Sequence, residues 1–369
     1  NESGALVLDA TCFYGEQGGQ VGDRGAITAG SEQEDLFDVE DTVRVGTALL
    51  HVGRVRRGAF GIGEPVVLRV DSSRARTMLN HTATHVMNWA LRKVLGEHVQ
   101  QKGSLVDPDK TRFDLSHPAA ITNDELARIE QLTNEQIGKD LPVHTNDNVP
   151  VDQKAAMKIN GLRAVFGEKY PEHVRVVSIG VPVQDLLTKP DNPEWRKYSV
   201  EFCGGTHVKR TGEIGKFHLI EESAVAKGIR RVVGITGDKA AAAEQAARDV
   251  ERELDAALKN STPSAAADIA AKITNAELPI LEKNKLRTKL AELQERAKVA
   301  AKQQAKADTA GTIAKADELL ASAPRAGSVA IICGTLGSAN LDQLRSACDS
   351  LRSRAGSAGI LLAGGNDGK

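Results

Sequence analysis

From Asp238 to Ala310 the chain contains no glycine. A run that long, dense in alanine, lysine and glutamate, has little turn-forming freedom and a strong helix preference. It carries AAAAEQAARDVERELDAAL and LEKNKLRTKLAELQERAKVAAKQQAKADTAGTIAKADELL. Leu286, Leu290, Leu293 and Ala297 recur at 4-3-4 spacing, the narrow stripe of a coiled-coil seam. Pro263 and the STPS segment interrupt the run, which predicts a helical hairpin over 238–325. The alternative is a plain amphipathic bundle.

The flanks differ in texture. Residues 1–70 carry short β-type runs (ALVLDA, DLFDVE, RVGTALLHVGRV, EPVVLRV) punctuated by glycine, which predicts a small β-barrel. Over 71–237 helices and strands alternate. A helix runs from about Ser72 to Leu95, with Ser72 or Ser73 as cap and Gly96 as stop. TNDELARIEQL carries a capping box, Thr122 with Glu125. VRVVSIGVPV, YSVEF, GKFHLIEESAV and GIRRVVGITG are strands by β-branched content, so this part is α+β. Residues 326–369 give one βαβ unit (SVAIICG, NLDQLRSACDSLRSR, GILLAG), a truncated α/β domain. The chain starts at Asn1 and stops soon after a strand-like run, so both ends are expected to be cuts in a longer protein.

Composition excludes some classes. The net charge is -1, so nucleic acid would have to be held by local patches: Arg54, Arg56 and Arg57; Lys209 and Arg210; Arg230 and Arg231. Clusters of that size are more often solvated faces. No apolar run approaches the ~18 residues of a membrane helix, so no membrane partner is expected. Cys12, Cys203, Cys333 and Cys348 form no CxxC pair, which points to a reducing, cytoplasmic setting.

The chemistry-bearing residues lie in two short stretches. In NHTATHVMN, His81 and His85 are four apart and share one helix face. Leu79, Ala83, Val86, Ala90 and Val94 form the apolar stripe, whereas His81, His85, Asn88 and Arg92 lie opposite. The histidines therefore face water or a cleft built by another element. In EFCGGTHV, Cys203 and His207 are also four apart, with Gly204, Gly205 and Thr206 between them in a strand-end loop. Together the four form a Cys-His₃ set suited to zinc. With nine histidines in 369 residues, about 0.2 HxxxH pairs and about 0.1 CxxxH pairs arise by chance, so their joint presence carries weight. His51, His98, His117, His144, His173 and His218 have no such partner and are taken as surface or core residues. HTATH lacks the glutamate of HExxH, which disfavours a peptidase. In FYGEQGGQVGDRG, Gly18 and Gly19 allow close backbone approach and Gln20 could present its amide to a ligand. A barrel hairpin is the plain alternative.

FYGEQGGQVGDRG, NHTATHVMNWALRKVLGEHVQQKGSLV, RFDLSH, EFCGGTHVKRTGEIG and GIRRVVGITG, in that order, resemble the editing region of alanyl-tRNA synthetases. The likeness is dense over residues 5–237 and continues through the helices. It implies a proofreading hydrolase that clears serine or glycine wrongly esterified to tRNA(Ala). By position, His81, His85, Cys203 and His207 match the family's zinc residues. Gln20 and Thr82 match residues near the aminoacyl group, and Gly18–Gly19 helps shape that pocket. The resemblance places the alanine-activating domain, with its ATP and Mg²⁺, before Asn1. No GxxxxGK(S/T) pattern occurs in the chain. It also implies tRNA contacts and a homodimer through the C-terminal region.

An aminoacyl ester is already activated, so such a site mainly places a water and stabilises an oxyanion. Accepting serine while rejecting alanine needs a buried partner for the extra hydroxyl. Thr82 is the candidate, its plain alternative being a bond to its own helix backbone. Four protein ligands usually mark a structural zinc, so the catalytic group stays open. Two other readings remain: a free-standing aminoacyl-tRNA deacylase, and a tRNA-binding module with structural zinc only.

Overall fold

The structure is a computed structural model describing residues 3–30, 33–147, 149–165, 169–260 and 263–365. The chain groups into two compact units. One holds residues 1–251 with 273–286, the other 252–272 with 287–369. The class is mixed α+β with several antiparallel sheets and one long helix.

The first unit opens with a five-stranded antiparallel sheet, ordered Ser3–Val7, Ala48–Arg57, Asp35–Val45, Gly25–Ala29, Val67–Val70. Alternation in DLFDVE turns Phe37 and Val39 to one face, where they pack with Phe13 and Ile27. The expected barrel is not closed. Among the described residues, Ser3–Val7 and Val67–Val70 each pair on one side only. Bulges at Leu36/Phe37 and Val39/Asp41 bend the long hairpin, but the two short edge strands share no ladder.

A second antiparallel sheet runs Phe217–Ala226, Ile229–Thr236, Thr111–Ser116, Gln101–Val106. Helices Ser73–Leu95 and Asn123–Gly138 pack on it around Met87, Leu91, Phe113, Leu126, Ile129 and Phe217. Thr122 and Glu125 form the capping box read from the sequence. Ser72 precedes the first helix but makes no side-chain cap bond; Asp71 Oδ1 accepts from Ser73 N at 2.8 Å instead. A third sheet, Ser199–Phe202, Val176–Ile179, Val143–Thr145, is also antiparallel. Its register sets Val176 opposite Phe202, and one residue further on Cys203 N donates to Arg175 O at 3.1 Å. That bond anchors the loop that follows.

The glycine-free run is divided among three helices: Gly237–Asn260, Pro263–Asn275 and Ile280–Ala321. The first break involves residues 261 and 262 of the STPS segment, which lie outside the described residues. The second is set by Pro279, which has no N–H to donate and whose carbonyl accepts from Lys283 N at 2.8 Å. Leu286, Leu290 and Leu293 are buried as the stripe requires. In the second unit, Val329–Thr335 and Ala358–Ala363 pair in parallel across helix Leu341–Ala355, the expected βαβ. A short strand, Arg325–Ala326, adds an antiparallel edge.

Candidate metal centre

The helix Ser73–Leu95 and the loop after Ser199–Phe202 meet at the two histidine motifs. One donor atom from each of His81, His85, Cys203 and His207 lies within 4.8 Å of all the others. Cys203 Sγ stands 3.4 Å from both His81 Nε2 and His207 Nε2. The ring centroids are 5.3 Å apart for His81–His85, 4.4 Å for His81–His207 and 4.7 Å for His85–His207. The histidines opposite the apolar stripe are thus not wet: His81 and His85 are buried under the loop.

Each ring meets an outer partner through Nδ1. His81 Nδ1 is 2.7 Å from Gln20 Oε1, an acceptor, so its proton sits on Nδ1 and Nε2 is free to ligate. His207 Nδ1 is 3.2 Å from Thr82 Oγ1. His85 Nδ1 is 3.3 Å from Glu201 Oε2, close but without hydrogen-bond alignment. A soft thiolate with three imidazoles, two of them hydrogen-bonded through Nδ1 and the third facing a carboxylate, suits zinc.

The charges agree. Burial pushes the Cys203 thiol up, but the three histidines outweigh it and hold it well below its ordinary value. Burial pulls His207 down to about 3. Burial also pulls His85 down, but the charges of Glu201 and Cys203 override it and leave the ring raised. A thiolate beside a neutral His207 is the protonation a metal requires.

Gly205 N donates to Cys203 Sγ at 3.4 Å. Arg175 Nη1 donates to the carbonyls of Cys203 (3.0 Å) and Gly205 (2.8 Å), while its other side pairs with Asp147. Sequence reading missed Arg175 and Glu201 because strand register, not spacing, brings them here.

The cluster borders a cleft of about 740 Å³ walled in part by Tyr14, Gly18, Gly19, Thr84, Ser104 and Gly204. A larger groove of about 1310 Å³ lies elsewhere and holds none of the four donors. Gly19, at φ +87°, packs so tightly on Ser104 that a Cβ would lie 2.6 Å from its carbonyl oxygen. Gly19 O accepts from Val106 N at 2.7 Å, which stitches this loop to a sheet strand. Gln20 does not offer its amide to the cleft. It is fully buried, accepting from Thr206 N (2.8 Å) as well as facing His81, and donating to Thr206 Oγ1 (2.9 Å). Thr82 is also fully buried, behind His207, and its Oγ1 accepts from Val208 N at 3.2 Å. The threonine at the cleft is Thr84, which donates to Asn80 O at 2.7 Å and shares a hydrogen bond of 2.5 Å with Thr111. Periodicity could have found it, since it lies three residues after His81 on the same helix.

The basic clusters are largely neutralised: Arg54 pairs with Glu40, Arg56 with Asp38, Arg210 with Asp140, Arg230 with Glu222 and Arg231 with Asp114. Among the described residues no helix is long and apolar enough to cross a membrane.

Two family profiles match: "Threonyl and Alanyl tRNA synthetase second additional domain" over residues 174–233, and "tRNA synthetases class II (A)" over residues 1–74. The mitochondrial alanine–tRNA ligase of Saccharomyces cerevisiae is 43% identical over 289 residues, 77% of this chain and 29% of that protein. The cytoplasmic alanine–tRNA ligase of Dictyostelium discoideum is 45% identical over 267 residues, 72% of this chain and 28% of that protein. The alanine–tRNA ligase of Methylobacillus flagellatus is 40% identical over 378 residues, 100% of this chain and 37% of that protein. The chain thus spans about a third of the length of these relatives.

Proposed function

The chain belongs to the alanine–tRNA ligase family, and from that footing we propose that it carries out hydrolytic editing: deacylation of tRNA(Ala) mischarged with serine or glycine. The observation that supports this most is the Cys-His₃ cluster at the edge of a cleft large enough for an aminoacylated nucleotide. His81, His85, Cys203 and His207 would hold zinc. Bound there, zinc would supply Lewis-acid polarisation or orient the substrate's amine.

The chain's own residues supply recognition. In this reading Thr84, not Thr82, reads the substrate hydroxyl. Donating to Asn80 O and accepting from Thr111 leaves Thr84 Oγ1 one further lone pair for a serine hydroxyl. Alanine would leave that group unpaired, which supports discrimination. Gln20 and Thr206 fix His81 and the loop, and Gly18, Gly19 and Gly204 keep the wall thin. The partner is tRNA(Ala) and the setting cytoplasmic. A homodimer through the C-terminal region comes from the family resemblance, as does ATP- and Mg²⁺-dependent ligation of alanine by the whole protein.

Similarity that runs through the helical segment to ligases supports this family over a free-standing deacylase. The four-donor set favours a second reading in part: zinc shapes the pocket and water attacks beside it. Seryl-tRNA(Ala) incubated with the chain tests the function. Ester loss no faster than in buffer would refute it. Cys203→Ala with His207→Ala should abolish stoichiometric zinc by elemental analysis.

A further inference from the structure

Of the outer partners of the three imidazoles, Gln20 and Thr82 are neutral and Glu201 is a carboxylate. Its Oε1 accepts from Asn88 Nδ2 (3.0 Å), Arg163 Nη1 (3.1 Å) and Ser199 Oγ (3.3 Å). Its Oε2 faces His85 Nδ1 at 3.3 Å. The side chains of Glu201 and Arg163 are 10% and 11% exposed. A carboxylate so far from water is costly unless its charge is balanced and its oxygens are held, and here both conditions are met. Asn88 from a helix and Arg163 from a loop fix Oε1, Ser199 sharing its one hydroxyl proton between Oε1 and His85 O (3.1 Å), which leaves Oε2 for the ring.

We propose that Glu201 is a positioning residue of the metal centre: its carboxylate, balanced by Arg163, keeps the His85 proton on Nδ1 and delivers Nε2 to zinc. This rests on the reading that the cluster binds zinc. A carboxylate behind a ligating imidazole fixes its tautomer and raises its basicity. His85 Nδ1 makes no aligned hydrogen bond, so among the described residues its ion-pair partner, Glu201 Oε2 at 3.3 Å, is the group placed to set that tautomer.

The test uses the full chain. In the zinc-loaded protein, long-range ¹H–¹⁵N spectra should place the His85 proton on Nδ1; a proton on Nε2 overturns the proposal. Competition against a chromophoric chelator should show Glu201→Gln lowering zinc affinity about 10- to 100-fold, with helix content unchanged. Arg163→Met combined with Glu201→Gln removes both charges and leaves neither buried alone. That double variant should recover thermal stability but keep the lowered affinity, which a purely structural ion pair would not do. Wild-type zinc affinity in either folded variant overturns the proposal. A wild-type chain that takes up no zinc refutes the metal reading instead.

Discussion

Gly205 lies so close to His81 that a Cβ on the glycine would fall 2.0 Å from His81 Cε1 and 2.4 Å from Nδ1. The loop can deliver Cys203 and His207 to the helix only because this residue has no side chain. Gly205→Ala should cost about 1–3 kcal/mol by overpacking and reduce zinc retention. Gly204→Ala, with nothing within 4 Å of its Cβ, should keep both. Thermal unfolding and elemental analysis of the pair decide it; equal behaviour of the two variants would contradict the packing argument.

Thr82→Val removes a buried acceptor for Val208 N and the partner of His207 Nδ1. The expected cost is about 1–3 kcal/mol, with weaker zinc binding. The serine-to-alanine ratio of deacylation should stay near wild type, while Thr84→Val should shrink it. A changed ratio in Thr82→Val at unchanged stability would return the hydroxyl-reading role to Thr82.

The cluster of His81, His85, Cys203 and His207 was legible because two four-residue spacings are local patterns with a low chance expectation. What stands behind the ligands was not, because it depends on pairing between distant segments. Glu201 reaches His85, and Arg175 reaches the Cys203 carbonyl, through strand register. Gln20 reaches His81 through a bridge to Val106. Barrel closure failed for the same reason: short strands between glycines were visible, but whether edge strands meet is a global property. The second break in the helical run is a local signal, since Pro279 has no N–H to donate to a continuing helix.

Stripped of metal, the protein should lose stability in acid through His207. Its folded value, near 3, lies below the ordinary 6.5. Between those limits the unfolded chain holds the proton and the folded chain does not, so stability rises with pH by up to about 1.4 kcal/mol per unit. It is lost as pH falls from about 6.5 toward 3. His85 is raised and acts oppositely: its contribution is fully present below 6.5 and is lost as pH rises through its folded value. Urea unfolding of chelator-treated wild type and His207→Gln between pH 4 and 7.5 should give converging stabilities in acid. Parallel curves would show that His207 is not held neutral.

Arg175 offers the sharpest separation of charge from shape. One guanidinium serves three acceptors, the carbonyls of Cys203 and Gly205 and the carboxylate of Asp147, so the thiolate loop is pinned from its back. A lysine keeps the charge, but its three donors radiate from one nitrogen, so it cannot hold the two carbonyls as Nη1 does and Asp147 through Nε as well. Arg175→Lys should therefore behave almost as Arg175→Ala: zinc leaves faster, and the loss is about 1–3 kcal/mol, that of buried carbonyls left unpaired. Asp147→Asn keeps both carbonyl bonds and should change zinc release little. Release rates into excess chelator, measured for the three variants, test the ordering. If lysine restores the wild-type rate, Arg175 acts through its positive charge near the thiolate, and the clamp it forms on the loop backbone is incidental.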